Sequence, residues 1–123
     1  MIPEKMKEVL AHEGVVAVAS LGKEGMHLAN TWNSYIRITA DGRLIYPAGG
    51  MRTTEANLEH DNRVLLTFGS RDVEGLHGQG AGFLITGIAA FIKTGHEFDD
   101  IRQRFPWARA AVEIRIESVH QTL

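Results

Sequence analysis

The chain contains no cysteine. Disulfides, thiolate zinc sites, iron–sulfur clusters and cysteine nucleophiles are therefore excluded. An excess of one charge sign is missing too. Thirteen Lys and Arg stand against 15 Asp and Glu, for a formal net charge of −2. A nucleic-acid protein usually carries a basic excess or stripe, so no nucleic-acid partner is expected. No apolar run approaches the ~18 residues that a membrane span needs. The opening Met1-Ile2-Pro3-Glu4-Lys5 lacks the apolar stretch of a secretory signal. The expectation is a cytoplasmic protein without a membrane partner.

What is present is ordinary globular composition: 123 residues, 44% hydrophobic and 23% charged. That predicts one domain over residues 1–123. So small a domain has little spare interior, so a sizeable ligand is expected at a subunit interface.

Pro3 to His12 reads as a short amphipathic helix, with Met6, Val9 and Leu10 on one face. Val15–Ala19 reads as a buried strand, and a second strand is expected from about His27 to Thr39. Asp41-Gly42 marks a hairpin into Leu44-Ile45-Tyr46. Pro47–Gly50 breaks that strand. Thr53 or Thr54 is expected to cap a helix over Glu55–Asp61. Val64–Phe68 is a strand, Ser70–Gly82 a glycine-rich loop or loose hairpin, and Phe83–Lys93 a long apolar strand. Glu97–Arg104 is a short helix. In the last strand Val112, Ile114 and Ile116 alternate with Glu113, Arg115 and Glu117, giving one dry and one wet face. Strands joined by short turns, without helical crossovers, point to a closed or half-closed antiparallel barrel.

Several catalytic patterns are lacking. The six histidines are scattered, with no metal-ligand spacing. Gly75, Gly78, Gly80 and Gly82 match neither a dinucleotide fingerprint nor a phosphate loop. Glu97, Asp99 and Asp100 read as a solvated helix face favouring an N-terminus. No serine sits in an esterase elbow.

One stretch breaks the strand pattern. Asn30-Thr31-Trp32-Asn33-Ser34-Tyr35 sets four small hydrogen-bonding side chains around two large aromatics. Asparagine is unfavourable inside strands, and a local violation of pattern is where a functional site is sought. The set suits a flat ring with polar edges, or equally a hairpin strand with a polar face and two packed aromatics. A second stretch, Gly49-Gly50-Met51-Arg52-Thr53-Thr54-Glu55, offers a close-approach backbone, a guanidinium, two hydroxyls and a helix start. That is a plausible anion cradle, with Arg71 as a second guanidinium, or simply a helix cap beside a surface arginine. Together the stretches suggest a planar heterocycle bearing a phosphate, for which FMN and pyridoxal phosphate both qualify.

At these residues the chain resembles the FMN-binding split-barrel family, to which the pyridoxamine-phosphate oxidases belong, and is most similar to its small bacterial members. The resemblance runs through Glu13-Gly14-Val15-Val16-Ala17, Asn30–Tyr35, Gly49-Gly50-Met51 and Thr54-Glu55-Ala56-Asn57. It continues through Gly69-Ser70-Arg71, Gly82-Phe83-Leu84-Ile85, Trp107–Ala111 and Gln121-Thr122-Leu123. It implies a six-stranded antiparallel split barrel and a homodimer with one non-covalent FMN per subunit near the interface. By motif match Asn30, Thr31, Trp32, Asn33, Ser34 and Tyr35 line the flavin, and Trp107 approaches the ring. Gly49, Gly50, Thr53 and Thr54 lie near the phosphate or ribityl chain, and Leu123 reaches the neighbouring subunit's flavin. Glu13 is a charge near the ring by the same resemblance. The family commonly has a lysine in the phosphate segment, where this chain has Thr53-Thr54; Arg52 or Arg71 would replace it. The chain also lacks the C-terminal extension with which the oxidases hold substrate.

No general acid or base lines the proposed site. The expected function is therefore an electron carrier between redox partner proteins of unknown identity, with no catalytic residue and no metal site of its own. The alternative is a flavin-dependent enzyme, a flavin reductase or a pyridoxamine-phosphate oxidase relative. A further class is a non-catalytic module holding another ring, such as haem.

Overall fold

The computed structural model describes residues 1–123. The elements in order are α1 (Glu4–Leu10), β1 (Val15–Gly22), β2 (Gly25–Trp32), a 3-10 turn (Asn33–Tyr35), β3 (Arg37–Ile38) and β4 (Leu44–Ala48). There follow α2 (Arg52–His60), β5 (Arg63–Glu74), β6 (Gln79–Ile92), α3 (His96–Arg104) and β7 (Ala110–Gln121). The strands form one antiparallel sheet in the order β2-β1-β5-β6-β7-β4-β3. No helix is long and apolar enough to cross a membrane.

The sheet curls around one core. Alternation along each strand sends Val16 and Val18 of β1, Leu66 and Phe68 of β5 and Phe83 and Ile85 of β6 inward. Tyr46 of β4 and Val112 and Ile114 of β7 complete the lining, and α1 adds Met6 and Val9. Gly87 bends β6, where the ladder to β7 shifts register. A Cβ at Gly87 would lie 2.6 Å from the Arg115 carbonyl oxygen, so only glycine admits this approach. The edge strands β2 and β3 each have one partner and do not pair with each other. The barrel is thus split, and the chain crosses between its edges at the 3-10 turn.

Five sequence expectations need correction. The sheet has seven strands rather than six, the extra one being the two-residue β3. The single strand expected over His27–Thr39 breaks at Asn33, where a 3-10 turn begins and the side-chain amide bonds the carbonyls of Val9, His12 and Gly69. Helix α2 starts at Arg52, and neither threonine caps it. Met51 takes the cap position in the left-handed region, at φ 56°. The loop expected over Ser70–Gly82 shrinks to residues 75–78, because β5 and β6 continue through the glycines. The wet face of β7 also has an exception, since Glu113 is buried, with Arg43 at 2.6 Å.

A second, smaller core lies outside the barrel. Ile45 and Ala111 face outward from β4 and β7 and pack with Ile101 of α3 and Ala108.

Candidate ligand cleft

The open seam of the barrel carries the candidate site. Where β2 ends and β4 turns toward α2, a cleft of about 280 Å³ is lined by Asn30, Thr31, Trp32 and Tyr35 on one side. Pro47 to Met51 and Trp107 line the other. Both indoles are half exposed, Trp32 at 45% and Trp107 at 51%.

Local folding places each group. Strand alternation puts Trp32 on the outer surface and buries Thr31. Tyr35 closes the 3-10 turn, and its ring packs against Phe105 (centroids 4.8 Å apart) and Trp107 (5.8 Å). Phe105 and Trp107 meet edge-on at 5.5 Å, so the three rings support one another. The Trp107 indole also lies on Gly49, where a Cβ would stand 3.0 Å from the ring. Asn30 donates to the Val16 carbonyl at 3.3 Å.

The structure brings seven of the expected residues to this cleft: Asn30, Thr31, Trp32, Tyr35, Gly49, Gly50 and Trp107. It places the other seven elsewhere. Asn33 is fully buried, and its amide faces the carbonyls of Val9, His12 and Gly69 at 3.4, 2.9 and 3.3 Å. Ser34 donates to Glu13 at 2.6 Å, a bond that, with the Ser34 backbone N–H, holds the Glu13 carboxyl below its usual range. Arg52 is exposed at the start of α2, and Thr53 lines a different hollow between α2 and the β1–β2 turn. Thr54 is sealed in, its hydroxyl without a partner. Arg71 and Leu123 line a second hollow, with Glu13, Gly14, Gly69 and Ser70. Arg71 is therefore absent from the Gly49–Thr54 cradle in which sequence reasoning placed it. It is carried on the extended end of β5.

Sequence reasoning also missed the charges behind the cleft. Arg109 donates to the Gly50 carbonyl from Nε at 3.0 Å and from Nη2 at 2.7 Å. Its Nη1 binds Glu55 at 2.8 Å, and Lys93 takes the other Glu55 oxygen at 2.6 Å. Lys93 first, and Arg109 after it, hold the Glu55 carboxyl below its usual range. Residues 54 positions apart give no local spacing by which to find such a pair.

The arrangement offers apolar faces from two indoles and a phenol ring, with polar edge groups and a glycine-lined turn. That suits a planar heteroaromatic ligand rather than a compact ion.

Comparison with known proteins agrees with this chemistry. A family model described as pyridoxamine 5′-phosphate oxidase matches residues 2–123. A curated relative, an "FMN-binding protein" of Nitratidesulfovibrio vulgaris (strain Miyazaki F), is 54% identical over 123 residues and covers both chains completely. Among solved structures, HupZ of Group A Streptococcus superposes with a TM-score of 0.81 at 18% identity, over 98% of this chain and 94% of that one. An FMN-binding protein of Syntrophomonas wolfei superposes at 0.77 with 15% identity, over 98% of this chain and 85% of that one. At such identities these structures establish the fold alone.

Proposed function

The chain belongs to the pyridoxamine 5′-phosphate oxidase family, and from that membership we propose that it is an FMN-binding redox protein. Its role is that of an electron carrier, working in the cytoplasm as a homodimer with its partner proteins. The observation that carries this reading is the cleft itself, with two half-exposed indoles and polar edge groups beside a glycine turn. The "FMN-binding protein" name of the 54% identical relative supports the choice of FMN over pyridoxal phosphate.

FMN, when bound, supplies the reversible electron chemistry, and the chain sets its binding, orientation and access. Trp32, Tyr35 and Trp107 offer ring faces. Asn30 and Thr31 serve the ring edge. Gly49 and Gly50 face the ribityl and phosphate end, with the start of α2 behind them. Asn33 and Ser34 position the turn that carries Tyr35, and Thr54 braces the start of α2 from within. Asp, Glu, His and Lys are all missing from the cleft lining. With no such acid or base, electron transfer is favoured over substrate turnover.

The homodimer is supported by the outer face of β1, β2 and β5. Pairing sets Val15 opposite Trp32, Ala19 between Leu28 and Leu65, and Leu21 opposite Met26. Met26 is 80% exposed and Leu28 70%, and Val15, Leu21, Trp32 and Leu65 are exposed as well. An apolar patch of this kind calls for a partner. A second copy seated here covers Trp32 and with it one wall of the cleft. In that assembly Leu123 of each chain approaches the flavin of the other.

The second reading, a flavin-dependent enzyme, draws support from the oxidase description of the family. The absorption spectrum of the purified chain, with mass identification of the released ligand, tests the flavin. A colourless preparation that does not take up FMN would overturn the proposal. Turnover of NADH, NADPH or pyridoxamine phosphate would replace the carrier with the enzyme.

A further inference from the structure

We infer that Lys93 is the cation with which this chain selects a phosphorylated flavin over an unphosphorylated one, and that Glu55 stores it beside the glycine turn. The inference rests on the FMN reading above.

Three charged side chains from three parts of the chain meet at this turn. Glu55 lies in the first turn of α2, and helical side chains tilt back toward the helix start. Arg109, just before β7, grips one Glu55 oxygen and the Gly50 carbonyl, while Lys93, just past β6, takes the other oxygen at 2.6 Å. Two positive charges less one negative charge leave a surplus of +1 beside the turn.

The two cations are not equivalent. Arg109 is 19% exposed along its side chain, and all three of its guanidinium nitrogens are engaged. It also lies over the Phe91 ring. Lys93 is 54% exposed, and Glu55 is its one ion-pair partner. A lysine on a flexible four-carbon stem can swing while a planar, fully bonded guanidinium cannot. Arg109 is thus the positioning residue that fixes the Gly50 carbonyl, and Lys93 is the charge free to move. A phosphate monoester carries roughly −1.5 to −2 at neutral pH and draws the ammonium more strongly than a single carboxylate does. The remaining cations compete poorly. Arg71 sits in the second hollow, and Arg52 is exposed with no acidic partner to hold it.

The test is a titration of the flavin-stripped full chain with FMN and with riboflavin, comparing parent, Lys93→Met and Lys93→Arg. Lys93→Met should cut the FMN-to-riboflavin affinity ratio by about tenfold or more, the size of one charge-assisted contact. Riboflavin affinity should stay within about threefold, and Lys93→Arg, which keeps the charge, should restore most of the ratio. A Lys93→Met ratio within about twofold of the parent, smaller than any charge-assisted contact, overturns the assignment. If the parent chain binds neither flavin, the FMN reading itself has failed and this inference goes with it.

Discussion

The two outer faces of the sheet are finished differently. Around β4 and β7 the outward Ile45 and Ala111 are capped by α3, and Ala108 closes the small core beneath it. The one buried charge of that face, Glu113, is matched by Arg43 at 2.6 Å, and Arg43 turns to Glu97 of α3 at 2.7 Å. Around β1, β2 and β5 the outward side chains are as apolar, yet no element of the chain crosses them. The same strand chemistry is sealed from within on one side and left bare on the other. The difference lies in connectivity: the β6–β7 crossover carries a helix, whereas β1 and β2 are joined by a two-residue turn.

Replacing Arg43 by Ala attacks the covered face. It strands Glu97 and leaves Glu113 only the exposed Arg115 at 3.2 Å, and losing one partner of a buried ion pair costs about 3–5 kcal/mol. Denaturant unfolding should show a loss of that size. Leu28→Asp attacks the bare face. The fold should keep its unfolding midpoint, while dimer affinity falls by about 3 kcal/mol or more because the symmetric contact is struck twice. Sedimentation at micromolar concentration should then find monomers; dimers of unchanged affinity would move the interface elsewhere. Trp32 stands where the bare face meets the cleft. Trp32→Ala should weaken FMN binding by about 1–3 kcal/mol, and the parent's indole fluorescence should be quenched on titration.

The smallest effect separates the faces by pH. Arg43 holds the Glu97 carboxyl below its usual range, and a depressed carboxylate contributes stability above its unfolded value and loses it as pH falls through the folded one. The covered face should therefore weaken below about pH 4.5, the ordinary glutamate value. At the rim of the bare face, Arg63 holds Asp61 down to about 2, so that pair should outlast it. Thermal melts from pH 6 to pH 3 should show an acid limb that flattens in Arg43→Met.

Much of this was legible in the sequence, because strand alternation is local and the core is built from it. Val16 and Val18, Phe83 and Ile85, and Val112 and Ile114 all face inward where period-two patterning put them. The Asn30–Tyr35 anomaly did mark the cleft wall. What failed was long-range or conformational. Nothing near Thr53 or Thr54 signals that Met51 will take a left-handed cap. Nothing in β7 reveals that Glu113 is buried, because its partner Arg43 lies 70 residues away. Asn33 shares its residue type with the polar edge groups, but period-two alternation after Trp32 turns its side chain inward, where it is buried.

That inward turn has a kinetic consequence. The Asn33 amide joins the end of α1, the 3-10 turn and β5 at one point, through Val9, His12 and Gly69. Segments tied through one buried group tend to open as one cooperative unit. Hydrogen exchange should therefore find the amides of the last turn of α1 and of Asn33–Ile36 sharing one opening rate. The wall that carries Tyr35 would then breathe only when the first helix lifts, making α1, which never touches the cleft, the element that sets how long a bound ligand stays.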